Sequence, residues 1–121
     1  MSAISAGSVY SQAPLAEIDL VEIDLALADQ AERLTRTRKG RVWQYSRGGV
    51  VLDVRVQDLD QVLWDCEDEL LSLGLLPEPG RYRVLFVSGL CRADADREID
   101  RLCAAVASAV GGVTTGSQHC Y

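Results

Sequence analysis

A chain of 121 residues, 48% hydrophobic and 25% charged, has the composition of one globular domain large enough to bury a core without metal or disulfide staples. Its formal net charge of -6 argues against general affinity for nucleic acid or anionic membrane surfaces. No apolar run approaches the ~20 residues that span a bilayer, so no membrane segment is expected.

Residues 1–13 are small and polar without periodicity and read as a frayed terminus that is not a secretory signal. With no export signal, the four cysteines are expected to stay reduced, in the cytoplasm. Pro14 opens the first ordered stretch. Over residues 16–23 apolar residues alternate as in a strand, but the phase slips between Leu20 and Val21. Leu20, Ile23, Leu27, Ala31 and Leu34 instead share one helical face. The reading is a strand over 16–23 leading into a helix over 24–38, with one long helix as the alternative. Asp24 caps that helix, Asp29 and Glu32 sit early, and Arg33, Arg36, Arg38 and Lys39 crowd its end before Gly40. That order complements the helix dipole.

Arg41–Ser46 and Val50–Val56 flank Arg47-Gly48-Gly49 and form a hairpin, since the two glycines supply the positive φ angles of a tight loop. Val50, Leu52, Val54 and Val56 point to one face, and Val51, Asp53 and Arg55 to the other. Trp43 and Tyr45 share a face, opposite Val42. Asp58 to Gly74 reads as an amphipathic helix with a stripe of Leu59, Val62, Leu63, Cys66, Leu70 and Leu73. Pro77–Gly80 is a turn, Arg81–Ser88 a central strand, and Gly89–Ala93 a loop. Asp94 or Asp96 caps a last helix whose core stripe is Ile99, Leu102, Cys103, Val106 and Val110. Gly111-Gly112 stops it, and residues 113–121 read as a flexible tail.

The domain so defined, residues 14–112, is an α+β sandwich with a three- or four-stranded, mainly antiparallel sheet and helices on one face. It is ferredoxin-like if residues 16–23 form a strand. From about Asp29 to Gly111 the element order resembles the small C-terminal domain of fold-type I PLP-dependent enzymes. The stretches that carry the resemblance are Gly49–Val56, Asp58–Leu76, Pro79–Val87 and the helix beginning Asp94-Ala-Asp-Arg-Glu-Ile. The sequence has no counterpart of the large domain that holds the cofactor lysine and phosphate loop, and its one lysine, Lys39, lies in a run of arginines. The resemblance therefore implies a shape, or a stand-alone subunit related to such enzymes, with no cofactor of its own.

No catalytic constellation stands out. His119 and Cys120 are adjacent in the tail, where nothing fixes a nucleophile–base geometry. Cys91, Cys103, Cys120 and His119 lack the spacing of a zinc knuckle, and no metal site is expected. The acidic groups Asp65/Glu67/Asp68/Glu69 and Asp94/Asp96/Glu98/Asp100 read as solvated helix faces and caps. Gly111-Gly112 before a nine-residue tail also looks like the junction of a modified-peptide precursor cleaved after Gly112, although a helix stop accounts for it.

The strongest surface candidate is the basic run Arg33, Arg36, Arg38, Lys39 and Arg41, which holds five of the twelve basic residues, followed by Trp43, Tyr45 and Arg47. Arg36, Arg38, Arg41, Trp43, Tyr45 and Arg47 form the expected binding site, with Trp, Tyr and Arg as anchors. The alternative is dipole compensation with the aromatics packed against a neighbouring helix. Net acidity favours a protein partner or self-association over nucleic acid. The expected function is a non-enzymatic protein-binding or regulatory domain of immunity, adaptor or subunit type.

Overall fold

The computed structural model describes residues 4–11, 17–37, 41–58, 70–74, 83–90, 93–115 and 118–120. They build an α+β fold of two helices on one face of an antiparallel sheet. In chain order the elements are β1 (Ile4–Tyr10), α1 (Glu17–Gln30), β2 (Arg33–Arg36), β3 (Val42–Arg47), β4 (Val50–Asp58), β5 (Arg83–Leu90), α2 (Ala93–Val110), β6 (Val113–Thr114) and β7 (Gln118–Cys120). The sheet runs β2-β3-β4-β5-β1-β6, and β7 pairs β1 further along the side that β6 uses. Among the described residues seven strands pair, where three or four were expected.

The hairpin forms as its glycines imply. Arg47 pairs Val50, and Gly48 and Gly49 take φ of 56° and 82°, the positive angles a two-residue connection needs. Val50, Leu52, Val54 and Val56 face the helices, while Val51, Asp53 and Arg55 stay exposed on the other side.

Three corrections concern the N-terminal part. First, Ile4–Tyr10, expected to fray, is β1, paired to β5 over its whole length and to β6 and β7 on its other side. Its stretch Ser5-Ala-Gly-Ser8 is buried although it is barely apolar. Where the chain leaves α2 it comes close to the end of β1: a Cβ on Gly112 would lie 2.6 Å from the Tyr10 carbonyl oxygen. Second, residues 17–23 are helical, so the strand expected over 16–23 is not formed and the condition for a ferredoxin-like sheet is not met. Ile23 and Leu27 are fully buried and Leu20 packs beside them, which is the helical face the spacing allowed. Third, that helix does not run to residue 38. Its last backbone bond brings the Ala31 amide to the Leu27 carbonyl, and the Glu32 amide already reaches the Ser46 carbonyl of β3. Arg33–Arg36 then continues as β2, where Thr35 suits a pleated strand, so Arg33 and Arg36 are strand residues and not dipole-compensating helix residues, while Arg38 and Lys39 lie outside the described residues.

The helix expected over Asp58–Gly74 falls largely outside the described residues. Its end, Leu70–Gly74, is a helical turn with Leu70 buried and Gly74 at a φ of 77°. β5 extends to Leu90, two residues beyond the expected strand end. α2 follows its pattern closely: Ala95, Ile99, Leu102, Cys103, Val106 and Ala107 are buried, and the Asp94 carboxylate accepts from the Ala95 amide at its start. At its end the Gly112 amide reaches back to the Ala107 carbonyl at 2.8 Å, and Gly111 takes a φ of 67°. This six-to-one closure explains the double glycine as a helix stop.

The tail, expected to be flexible, pairs with β1. Val113 and Thr114 lie opposite Tyr10 and Val9, and Gln118–Cys120 lie opposite Ala6–Ile4. The Thr114 hydroxyl donates to the Ser8 carbonyl at 2.9 Å, which fastens this edge further. Among the described residues no helix is long and apolar enough to cross a membrane.

Candidate functional site

β3 is the strand from which the candidate site is built, because its alternation decides what Trp43 and Tyr45 can do. Trp43 lies opposite Val54 and Tyr45 opposite Leu52, both on the helix-covered side. Both aromatic rings are fully buried, so neither can anchor a partner at the surface as expected. Each instead ties a helix to the sheet, which is the alternative the sequence also allowed.

The Trp43 indole Nε1 donates to Asp24 Oδ1 of α1 at 2.9 Å. Arg36 of β2 closes the same cluster, with its guanidinium 3.9 Å from Asp24 Oδ1 and 5.8 Å from the centre of the Trp43 ring. A carboxylate, an indole and a guanidinium thus join α1, β2 and β3 at one point. The Arg36 contribution is modest, because its side chain is 42% exposed and water screens the pair.

Tyr45 reaches between the two helices. Its hydroxyl lies 3.0 Å from Glu98 Oε2 of α2 and 3.3 Å from the Gln30 carbonyl at the end of α1. One hydroxyl proton serves one acceptor at a time, and the shorter, charge-assisted bond to Glu98 is the stronger. Burial, followed by the bond to Glu98 and its charge, pushes the Tyr45 phenol well above its ordinary value of 10.0. Glu98, expected on a solvated face, is therefore a partly buried structural acceptor, and Arg101 pairs with its other oxygen at 3.5 Å.

The remaining expected site residues separate. Arg36 is exposed on β2, Arg41 is half-buried just before β3, and Arg47 is half-buried at its far end. Arg38 lies outside the described residues. Along an extended strand Arg41 and Arg47 are about 20 Å apart. Arg47 lines a hollow of about 350 Å³ at the hairpin tip with Glu32, Gly48, Arg97 and Arg101, and there Glu32 accepts from the Gly48 amide at 3.2 Å.

What the sequence reading missed is the role of β2 itself. Among the described residues β2 ends the sheet, and its residues other than Leu34 are exposed. The Thr37 amide donates to the Val42 carbonyl, so by antiparallel alternation the amides of Leu34 and Arg36 turn outward. Arg33 and Arg36 lie on opposite faces of this edge. The signal was the β-branched alternation of Thr35 and Thr37, hidden by the density of arginines.

Cys103 sits in the core as a free thiol, pushed by burial up to about 11 from its ordinary 9.0. A thiol so protonated is a packing residue and not a nucleophile. The chain matches no protein-family model and no curated protein.

Proposed function

We propose that this protein is a small protein-binding domain that receives an extended, acidic segment of a partner along the outer edge of β2. The observation that carries this reading is the pairing of outward backbone amides at Leu34 and Arg36 with arginines on both faces of the same short strand. An added strand takes its affinity from main-chain hydrogen bonds and its selectivity from alternate side chains, here carboxylates set against Arg33 and Arg36. Charged residues commonly guard exposed edges against promiscuous pairing, and the same arginines select for an acidic strand. Charge also argues against self-pairing, since two copies of β2 laid side by side would bring arginines against arginines. A cytoplasmic setting fits the buried free thiol of Cys103.

The test is binding of a fluorescent acidic β-peptide to the full-length protein, followed by anisotropy. Leu34→Pro removes an outward amide while leaving the bonds to β3, a position where an edge strand tolerates proline. It is expected to reduce affinity at least tenfold, as is the pair Arg33→Glu and Arg36→Glu. Unchanged affinity in both variants, with thermal melts showing both folded, would remove this edge from the function.

A further inference from the structure

α1 carries apolar residues on two sides. Ile23 and Leu27 face the sheet and are fully buried, yet Val21 and Leu25 are 51% and 57% exposed on the opposite side. With the exposed Ala28 they form an outward stripe at the i, i+4, i+7 spacing of one helical face. An apolar stripe two turns long on a helix that already has its core contact is the mark of a second packing surface. The rim of the stripe is acidic. Glu22 and Asp29 are exposed along one border, and Asp24, held by Trp43 and Arg36, lies along the other. The whole of α1 contains Glu17, Asp19, Glu22, Asp24 and Asp29 and no lysine or arginine.

We infer that the outward face of α1 is a second docking surface, for an amphipathic helix of a partner whose apolar stripe is bordered by lysine or arginine. A ridge made by Val21, Leu25 and Ala28 fits between the side chains of another helix. The acidic borders complement basic flanks and repel acidic ones. They also disfavour a second copy, because two α1 helices packed face to face would oppose their carboxylates. This surface meets the β2 edge at the Asp24–Arg36 pair, but its apolar stripe draws on no residue of β2 and it asks for the opposite charge, so the serine variant tests it independently of the β2 edge.

The probe is an 18-residue designed helical peptide with a leucine–alanine stripe flanked by lysines, titrated into the full-length protein by calorimetry. A peptide with the same stripe flanked by glutamates is the control. The lysine peptide is expected to bind at least tenfold tighter than the glutamate peptide. Val21→Ser with Leu25→Ser should weaken it at least tenfold, and Glu22→Lys with Asp29→Lys should lose or reverse the charge preference. Equal binding by the serine variant overturns the inference, because attraction to an acidic protein alone would then explain the signal. Failure of the lysine peptide to bind overturns it too. So does a protein homodimer in sedimentation that the serine variant dissolves, since a second copy would then be the occupant.

Discussion

The two helices lie side by side on one sheet face yet are written on different plans. α2 puts its apolar residues on the inward side and Arg97, Asp100 and Arg101 on the outward side, with Asp94 and Asp96 in its first turn and Glu98 tied to Tyr45. α1 is apolar inward and apolar outward, and its charges are of one sign. A helix with one apolar face is complete once it meets the sheet. A helix with two has a contact still to make. The contrast separates residues that hold the domain together from residues that cost it nothing, and each prediction tests that separation.

The largest effect belongs to inward residues. Leu102→Ala in α2 and Leu27→Ala in α1 should each cost about 2–5 kcal/mol in urea denaturation, since both side chains are fully buried in the same cluster. A loss under about 1 kcal/mol for Leu27 alone would mean that α1 is a loosely attached element and that the comparison is wrong at its root.

An intermediate effect concerns pH, and it belongs to α2. Cys103 and Tyr45 both hold a proton more tightly in the folded chain than their ordinary values imply. The unfolded chain then loses those protons first as pH rises, so the stability they contribute is full below about pH 9 and declines above it. Between 9.0 and about 11 the decline comes from Cys103, and from about pH 10 upward Tyr45 adds to it. Cys103→Ala should flatten the first part of a stability–pH curve and Tyr45→Phe the second. At neutral pH Tyr45→Phe should cost about 1 kcal/mol for the lost hydrogen bond. A curve whose slope neither substitution alters would show that these two groups do not govern alkaline unfolding.

The smallest effect is the sharpest test of the difference between the two helix faces. Val21→Ser and Leu25→Ser should change stability by no more than about 0.5 kcal/mol. A melting temperature that falls steeply would make the outward stripe of α1 part of this domain's own core.

The same contrast explains what could be read from the sequence. α2 and the hairpin were legible because each follows one strict period, and because Gly48, Gly49 and Gly111 mark conformations other residues avoid. α1 was ambiguous because Val21 and Leu25, apolar without being buried, supply the alternation of a strand on top of the spacing of a helix. The feature that blurred the reading is the one that marks the second surface. β1 was illegible for the opposite reason. Ser5, Ala6, Gly7 and Ser8 are buried through smallness, and a hydrophobic pattern cannot register a strand that packs by having little side chain. β2 was misassigned because arginines before a glycine imitate a helix end. For the site, the arginines were visible but their separation was not, since only the pairing of β3 with β4 turns Trp43 and Tyr45 inward and sends Arg41 and Arg47 to opposite ends of a strand.

β1 also sets an order of events in synthesis. It precedes its partners in the chain, which are β5 on one side and β6 and β7 on the other, and Ser8 bonds to Thr115 across 107 residues of chain. Among the described residues each strand that pairs with β1 lies at residue 83 or later. Closing so long a loop carries an entropic cost before any contact offsets it, and folds rich in such pairings form slowly. Until then β1 waits unpaired, and its small centre, Ser5-Ala-Gly-Ser8, between Ile4 at one end and Val9 and Tyr10 at the other, leaves no continuous apolar run to invite aggregation.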